Sequence, residues 1–278
     1  MNHEHKVRAF YDDAIHCYQS IMGDRWHHGD PQAEARGEST LRACELLEET
    51  LASLSGLKKG DRALDFGSGI GGPTMHMSKV SSASFIGVTN NDGLTQRARQ
   101  KAAENRLAGQ VSFLTIGDTD YQTLPAFADG CFNAVTFYES VCHLSDKAAF
   151  FRAAFRVLAH GGPLVGIDWL QRPFGLHQSE AAITRFIQPV NESTCFSELG
   201  TVSRYKSGLE EAGFQVIMAR DMFEGVKCWG STPTDERPKW LSYDGPGAET
   251  FRRGKIALDA AREAGVFTVG MFVAAKPA

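Results

Sequence analysis

Long apolar runs are missing from this 278-residue chain. No stretch approaches the roughly 20 residues that a bilayer span needs. Met1-Asn2-His3-Glu4-His5-Lys6 also lacks the apolar region of a signal peptide. No membrane span is therefore expected, and the expected location is the cytoplasm. A strong excess of one charge is missing too: Lys and Arg total 29 against 33 Asp and Glu, a formal charge of −4. That balance offers no electrostatic footprint for a nucleic-acid partner. The six cysteines, at 17, 44, 131, 142, 195 and 228, include no CxxC pair, which argues against a zinc site or a disulfide framework. A DDxxD-type acid cluster, which would hold magnesium, is also missing. His27-His28 beside Asp30 brings no third ligand at helical spacing, so no metal is expected. Core-forming residues are not lacking: 42% of the chain is hydrophobic and 22% charged, a globular balance that excludes wholesale disorder.

Apolar spacing predicts the elements. Val7, Phe10, Ala14, Tyr18 and Ile21 recur at threes and fours, as in an amphipathic helix over 7–22. A second helix follows at 38–54. Residues 62–66 then read as a short strand running into Gly67-Ser68-Gly69-Ile70-Gly71-Gly72. From there helices at 73–80, 93–106, 146–158 and 202–212 alternate with strands at 84–89, 111–116, 132–137, 163–169 and 214–219, and a last strand spans 266–274. Alternation of this kind predicts an α/β fold with a mostly parallel sheet between helices. The stretch 170–200 reads as a cap of helices and loops. The irregular aromatic stretch 223–254 reads as a pocket cap, a surface loop or a homo-oligomer contact.

Gly67, Gly69 and Gly72 match G-x-G-x-x-G between a strand and a helix, the setting of a nucleotide loop. A dinucleotide site wants a carboxylate about 20 residues on to hold the ribose, and Thr89-Asn90-Asn91-Asp92 is not a clean match. Asp65 stands just before the glycines, giving Asp65-x-Gly67-x-Gly69-x-Gly71. A carboxylate at that strand end suits a cationic amino-acid moiety better than a pyrophosphate.

In this the chain resembles the class I S-adenosyl-L-methionine (SAM) methyltransferases, and sterol-type C-methyltransferases in particular. Leu64 to Pro73 is similar to their "LDxGCGxGGP", Gly87 to Asp92 to "GxNNND", and Tyr138 to His143 to "IEATCH". Arg156 to Gly162 resembles "RVLKPGG", Ile167-Asp168-Trp169 "YEW", and Glu211 to Val216 "EAGFEV". Phe272 to Pro277 resembles the end of the last strand. The resemblance implies a Rossmann-like seven-stranded sheet with an antiparallel final strand, under an N-terminal helical lid (1–56) on a core (57–278). It implies SAM as cofactor, its methionine part in the loop of Asp65, Gly67, Ser68, Gly69 and Gly71. The ribose would lie at Thr89, Asn90 and Asn91, and the adenine near Asp118 and Thr119. The aromatic sterol-binding segment of those enzymes is echoed only by Tyr18 and Trp26-His27-His28. That shifts the expected acceptor toward isoprenyl diphosphates or prenylated natural products.

If the nucleophile is a double bond, methyl transfer leaves a carbocation, which wants π-faces or a carboxylate around it and a base to take one proton. Glu139 and His143, with Tyr138 beside them, follow the fourth strand and are the expected catalytic residues; the resemblance also places Glu139 at the cofactor. Helix capping for Glu139 and core packing for Tyr138 stay open. The expected partner is an apolar or amphipathic small molecule. The alternatives are a small-molecule N- or O-methyltransferase, a binding module or cyclase without methyl transfer, and an NAD-dependent dehydrogenase.

Overall fold

A computed structural model describes residues 2–173, 179–226, 228, 239 and 241–278. Among these, seven strands form one sheet: β1 (Arg62–Phe66), β2 (Ser84–Thr89), β3 (Val111–Thr115), β4 (Ala134–Tyr138), β5 (Pro163–Gln171), β6 (Gln215–Asp221) and β7 (Phe267–Ala275). The order is β3-β2-β1-β4-β5-β7-β6. The first five pair in parallel, and β7 runs antiparallel between β5 and β6. β4 is buried along its whole length and β1 from its second residue, as expected for strands covered on both faces.

The helices are α1 (His3–Met22), α2 (Pro31–Ala35), α3 (Thr40–Ser55), α4 (Gly72–Ser81), α5 (Asp92–Glu104), α6 (Lys147–Val157), α7 (Glu180–Thr194), α8 (Val202–Glu211) and α9 (Ala248–Glu263). Leu47 and Leu51 of α3, Met75 and Met77 of α4, Ile187 and Val190 of α7, and Leu258 of α9 join one core cluster. Phe150 and Phe151 of α6 and Tyr205 and Leu209 of α8 join a second. Local chemistry sets the helix ends. Asn2 caps α1, Asp30 caps α2 ahead of Pro31, and Ser39 caps α3, each side-chain oxygen accepting a first-turn N–H.

Two helices escape the sequence pattern. α2 is too short to show periodicity, and α9 occupies the end of the stretch read as irregular, where Gly245, Pro246 and Gly247 mask its start. Trp229 and Trp240, counted among that stretch's aromatics, lie outside the described residues. No helix among the described residues is long and apolar enough to cross a membrane.

The strand order reverses between β1 and β4, and the loops leaving these two strands end side by side. In open α/β sheets this is where a ligand crevice forms. Ser140, in the turn after β4, donates a hydrogen bond to the Phe66 carbonyl at the end of β1 (2.9 Å).

Candidate active site

A cavity enclosing about 1000 Å3, open mouth included, lies over this switch point. Asp65, Gly67, Ser68 and Gly69 of the first loop line it, with Thr89 and Asn90 after β2, Asp118 after β3, and Tyr138, Glu139 and His143 after β4. The structure thus brings ten of the predicted site residues onto one cavity wall. Gly71, Asn91 and Thr119 do not line it. Gly71 is the left-handed N-cap of α4 (φ +81°), where a Cβ would run into the Phe113 ring. Asn91 caps α5, accepting from the Leu94 N–H (3.0 Å), and clamps α1 by donating to Asp12 Oδ1 (2.8 Å) and the Arg8 carbonyl (3.2 Å). Thr119 only opens a short 3-10 turn.

α1 roofs this cavity with Glu4, Val7 and Tyr11. His3 Nε2 donates to the His143 carbonyl (2.7 Å), and Glu4 accepts from Tyr121 (3.2 Å) and from Ser145. The roof is therefore fastened to the β3 and β4 loops as well as to Asn91.

Asp65 is 1% exposed, and both its oxygens accept hydroxyl hydrogens, from Thr74 (2.5 Å) and Thr136 (2.9 Å). Burial pushes its carboxyl pKa up to about 6 against the pull of those two bonds. The first loop holds open space where a ligand would sit. A Cβ placed on Gly69, at φ +52°, would meet nothing nearer than Trp26 at 3.9 Å, whereas a Cβ on Gly67 (φ +73°) would strike the Ser140 hydroxyl at 2.6 Å. Ser68 Oγ and Tyr138 OH are both buried without a hydrogen-bond partner, a costly state unless a bound group satisfies them.

A second cavity of about 800 Å3, mouth included, adjoins the first. Tyr11, Trp26, Glu139 and His143 line both. Phe10, Tyr18, Trp169, Phe196 and Phe251 make its other walls aromatic. Glu139 stands at the junction in the left-handed region (φ +48°), uncommon for a side chain of its kind. Its Oε1 accepts from the His28 backbone N–H (2.8 Å) and from His28 Nδ1 (2.6 Å), and its Oε2 from Trp169 Nε1. Burial alone would raise its carboxyl pKa, but the contacts with His28 outweigh burial and hold it below the usual value. Burial lowers the pKa of His28. Glu139 and His28 are thus a buried, hydrogen-bonded pair in which the carboxyl side is held toward its ionised form.

Across the junction, His143 Nδ1 faces the Cys195 carbonyl (3.3 Å) and so carries the hydrogen. Nε2 is then an acceptor, and Tyr11 OH donates to it (2.9 Å). Burial drives the His143 pKa down to about 3 and raises that of Tyr11 well above its ordinary value. The neighbouring His27 faces two acceptors, the His28 carbonyl (2.7 Å) and Glu48 (3.0 Å), and Glu48 also takes Arg25 (2.9 Å) and His76. The two histidines therefore anchor the loop before α2. Among the described residues no group of three or more His, Cys, Asp or Glu could hold a metal ion.

Residues 64–166 match the profile of a methyltransferase domain family. The chain carries a methyltransferase domain. It is 28% identical over 223 residues to cycloartenol-C-24-methyltransferase 1 of Oryza sativa subsp. japonica, covering 80% of this chain and 62% of that protein. It is 30% identical over 235 residues to the chloroplastic tocopherol O-methyltransferase of Arabidopsis thaliana, covering 79% of this chain and 66% of that one. The chain thus spans about two thirds, or less, of these relatives' length. Among solved structures, the [4+2]-cyclase SpnF shares the fold with a TM-score of 0.83 at 22% identity, covering 99% of this chain and 97% of that one.

The site of the methyltransferase domain fits SAM. The open cradle over Gly69, the unsatisfied Ser68 and Tyr138 hydroxyls, and carboxylates at Asp65 and Asp118 match a ligand that is cationic at its amino-acid end and rich in polar atoms elsewhere. Sequence reasoning missed the contacts made by three contributors, His28, Trp169 and Tyr11, although it puts Tyr11 in a lid that could line an apolar pocket. His28 meets its carboxylate from 111 residues away, and no local pattern announces such a pair. Trp169 lay within a quoted motif, and Tyr11 within the predicted lid, but neither position signalled contact with Glu139 or His143.

Proposed function

We propose that the protein is a SAM-dependent C-methyltransferase that adds a methyl group to an alkene carbon of an isoprenoid or prenylated small molecule. Residues 1–56 serve as the lid on a catalytic core of 57–278. One observation carries the reading: where the two cavities meet, a buried ionised carboxylate stands among aromatic faces. A cationic intermediate needs that environment, and a neutral amine or hydroxyl acceptor does not. The likeness to a cycloartenol C-24-methyltransferase supports it, since cycloartenol is an isoprenoid alkene.

Gly67, Ser68 and Gly69, with Thr89, Asn90 and Asp118, would hold SAM, with Asp65 toward its ammonium group. When bound, SAM supplies an electrophilic methyl group on a sulfonium. Methylation of a double bond leaves the acceptor cationic, beside Trp26, Trp169 and Glu139. Three donated hydrogen bonds fix the Glu139 carboxylate, so its role is standing negative charge rather than proton removal. The proton leaves to the Tyr11 oxygen as the Tyr11 hydrogen moves to His143 Nε2. An imidazole with a pKa of about 3 suffices, because a C–H next to a carbocation is far more acidic than any imidazolium. The roof formed by α1 keeps out water that would quench the cation.

Incubation with methyl-labelled SAM and isoprenoid acceptors, read by carbon NMR, tests this. Label on carbon is the expected result. Label on oxygen favours the second reading, an O-methyltransferase in which His143 takes a hydroxyl proton; the 30% identity to a tocopherol O-methyltransferase supports that alternative. Saturable SAM binding with no transfer to any acceptor would overturn both.

A further inference from the structure

The second cavity is lined largely by aromatic and aliphatic side chains, yet α7 and α9 bring Ser193, Thr194, Thr250 and Lys255 into its wall, and three of these, Ser193, Thr194 and Lys255, are held by hydrogen bonds or an ion pair. These three do not line the first cavity, so they lie away from the junction where the methyl group would arrive. Lys255 is buried at 9% exposure, and its ammonium pairs with Asp259 one turn on. Ser193 donates its hydroxyl hydrogen to the Pro189 carbonyl (2.7 Å), and Thr194 donates to the Val190 carbonyl (2.6 Å). Each hydroxyl has given its hydrogen to the helix and offers the cavity lone pairs. A cationic donor and two hydroxyl acceptors lining one largely apolar cavity complement a ligand group that both accepts and donates.

We propose that this wall is a hydroxyl-recognition subsite: the acceptor is a neutral isoprenoid alcohol, its oxygen accepting from Lys255 and its O–H donating to Ser193 or Thr194. The inference deepens the C-methyltransferase reading and rests on it for the location of the acceptor.

Charge argues against a diphosphate in the same place. Among the described residues, the cavity lining holds one cation, Lys255, and one carboxylate, Glu139, with His143 neutral. A multiply charged headgroup would find no surplus of positive charge there. Of four arginines that could serve such a group, Arg25 pairs with Glu45 and Glu48, Arg172 with Asp221, and Arg204 with Glu198, while Arg185 lies over the Phe186 ring. None of these four lines either cavity.

The test titrates protein loaded with S-adenosylhomocysteine and follows tryptophan fluorescence, since Trp26 and Trp169 line the cavity. Three probes share a carbon skeleton: geraniol, geranyl diphosphate with magnesium, and 2,6-dimethyl-2,6-octadiene. Geraniol is expected to bind about tenfold more tightly than either of the others, the return on a hydrogen bond to a charged donor. Lys255→Met should bring geraniol down to the hydrocarbon's affinity and leave the hydrocarbon within about twofold, a pattern that loss of one hydrogen-bonding group predicts. Should that variant fail to fold, Ser193→Ala combined with Thr194→Val removes both acceptors and should weaken geraniol alone, by about threefold. Tightest binding of the diphosphate, or a geraniol advantage that survives the substitutions, would overturn the proposal. The readout separates it from the reaction: Lys255-dependent binding of geraniol without label on carbon upholds the subsite and sinks the C-methyltransferase reading. Label on carbon with binding indifferent to Lys255 does the reverse.

Discussion

Around the first cavity, most contributors are strand ends and backbone turns between β1 and the loop after β4. Around the second, they are side chains of α1, α7 and α9, drawn from the two ends of the chain and from the segment after β5. A cradle made of backbone and glycine has few ways to vary, because a Cβ at Gly67 or Gly71 meets Ser140 or Phe113. A wall made of helix side chains can be rewritten one residue at a time without disturbing the sheet. Such a division is in keeping with similarity to relatives named for a cycloartenol carbon and a tocopherol oxygen.

The comparison breaks most visibly at the one carboxylate that belongs to both cavities. Glu139→Gln should leave SAM affinity within a few-fold by calorimetry and slow single-turnover methyl transfer by about 100- to 1000-fold, the range for losing a preorganised electrostatic stabiliser. Equal rates would move the chemistry away from the junction. On the cofactor side alone, Asp65→Asn should weaken SAM about tenfold, the worth of one charge-assisted contact. With a carboxyl pKa pushed up to about 6 by burial, the ionised form that attracts the ammonium is lost as pH falls. SAM affinity should therefore be flat above pH 7 and fall as pH drops through 6, levelling off about tenfold lower near the affinity of the asparagine variant, which shows no such dependence. On the acceptor side alone, Gly254→Ala places a methyl in ordinary contact with Ser193, whose Oγ lies 3.6 Å from the added Cβ. Within α9 it should stabilise the fold by about 0.5–1 kcal/mol in urea melts and leave SAM binding unchanged. Any loss of SAM affinity there would show the two sites to be less separable than their construction implies.

The same division governs what could be read from the sequence. β1 and β2 fall where the apolar runs place them, and the glycine loop with Asp65 maps directly onto the cavity wall. These are local patterns with a fixed structural meaning. The resemblance of Gly87–Asp92 to a GxNNND segment implied a ribose ligand at Asn91, but Asn90 faces the crevice while Asn91 turns to cap α5 and grip α1. Adjacent residues at a strand end diverge, and spacing alone does not say which one turns inward. His28 with Glu139 and Tyr11 with His143 are contacts across more than a hundred residues, set by how α1 and the following loop settle on the sheet. α9 went unseen because glycines and a proline precede it and its charged positions dilute the apolar stripe.

The antiparallel placement of β7 has a consequence for how the protein is made. β6 lies at the sheet edge with β7 as its neighbour, so during synthesis it leaves the ribosome well before the strand that will receive it. α9, which carries Lys255, is threaded between them in the chain. A ribosome-stalled chain ending before Phe267 should already have its donor cradle while lacking β7, leaving β6 without its neighbour and the acceptor without a settled wall, which makes substrate selection the last property the nascent protein acquires.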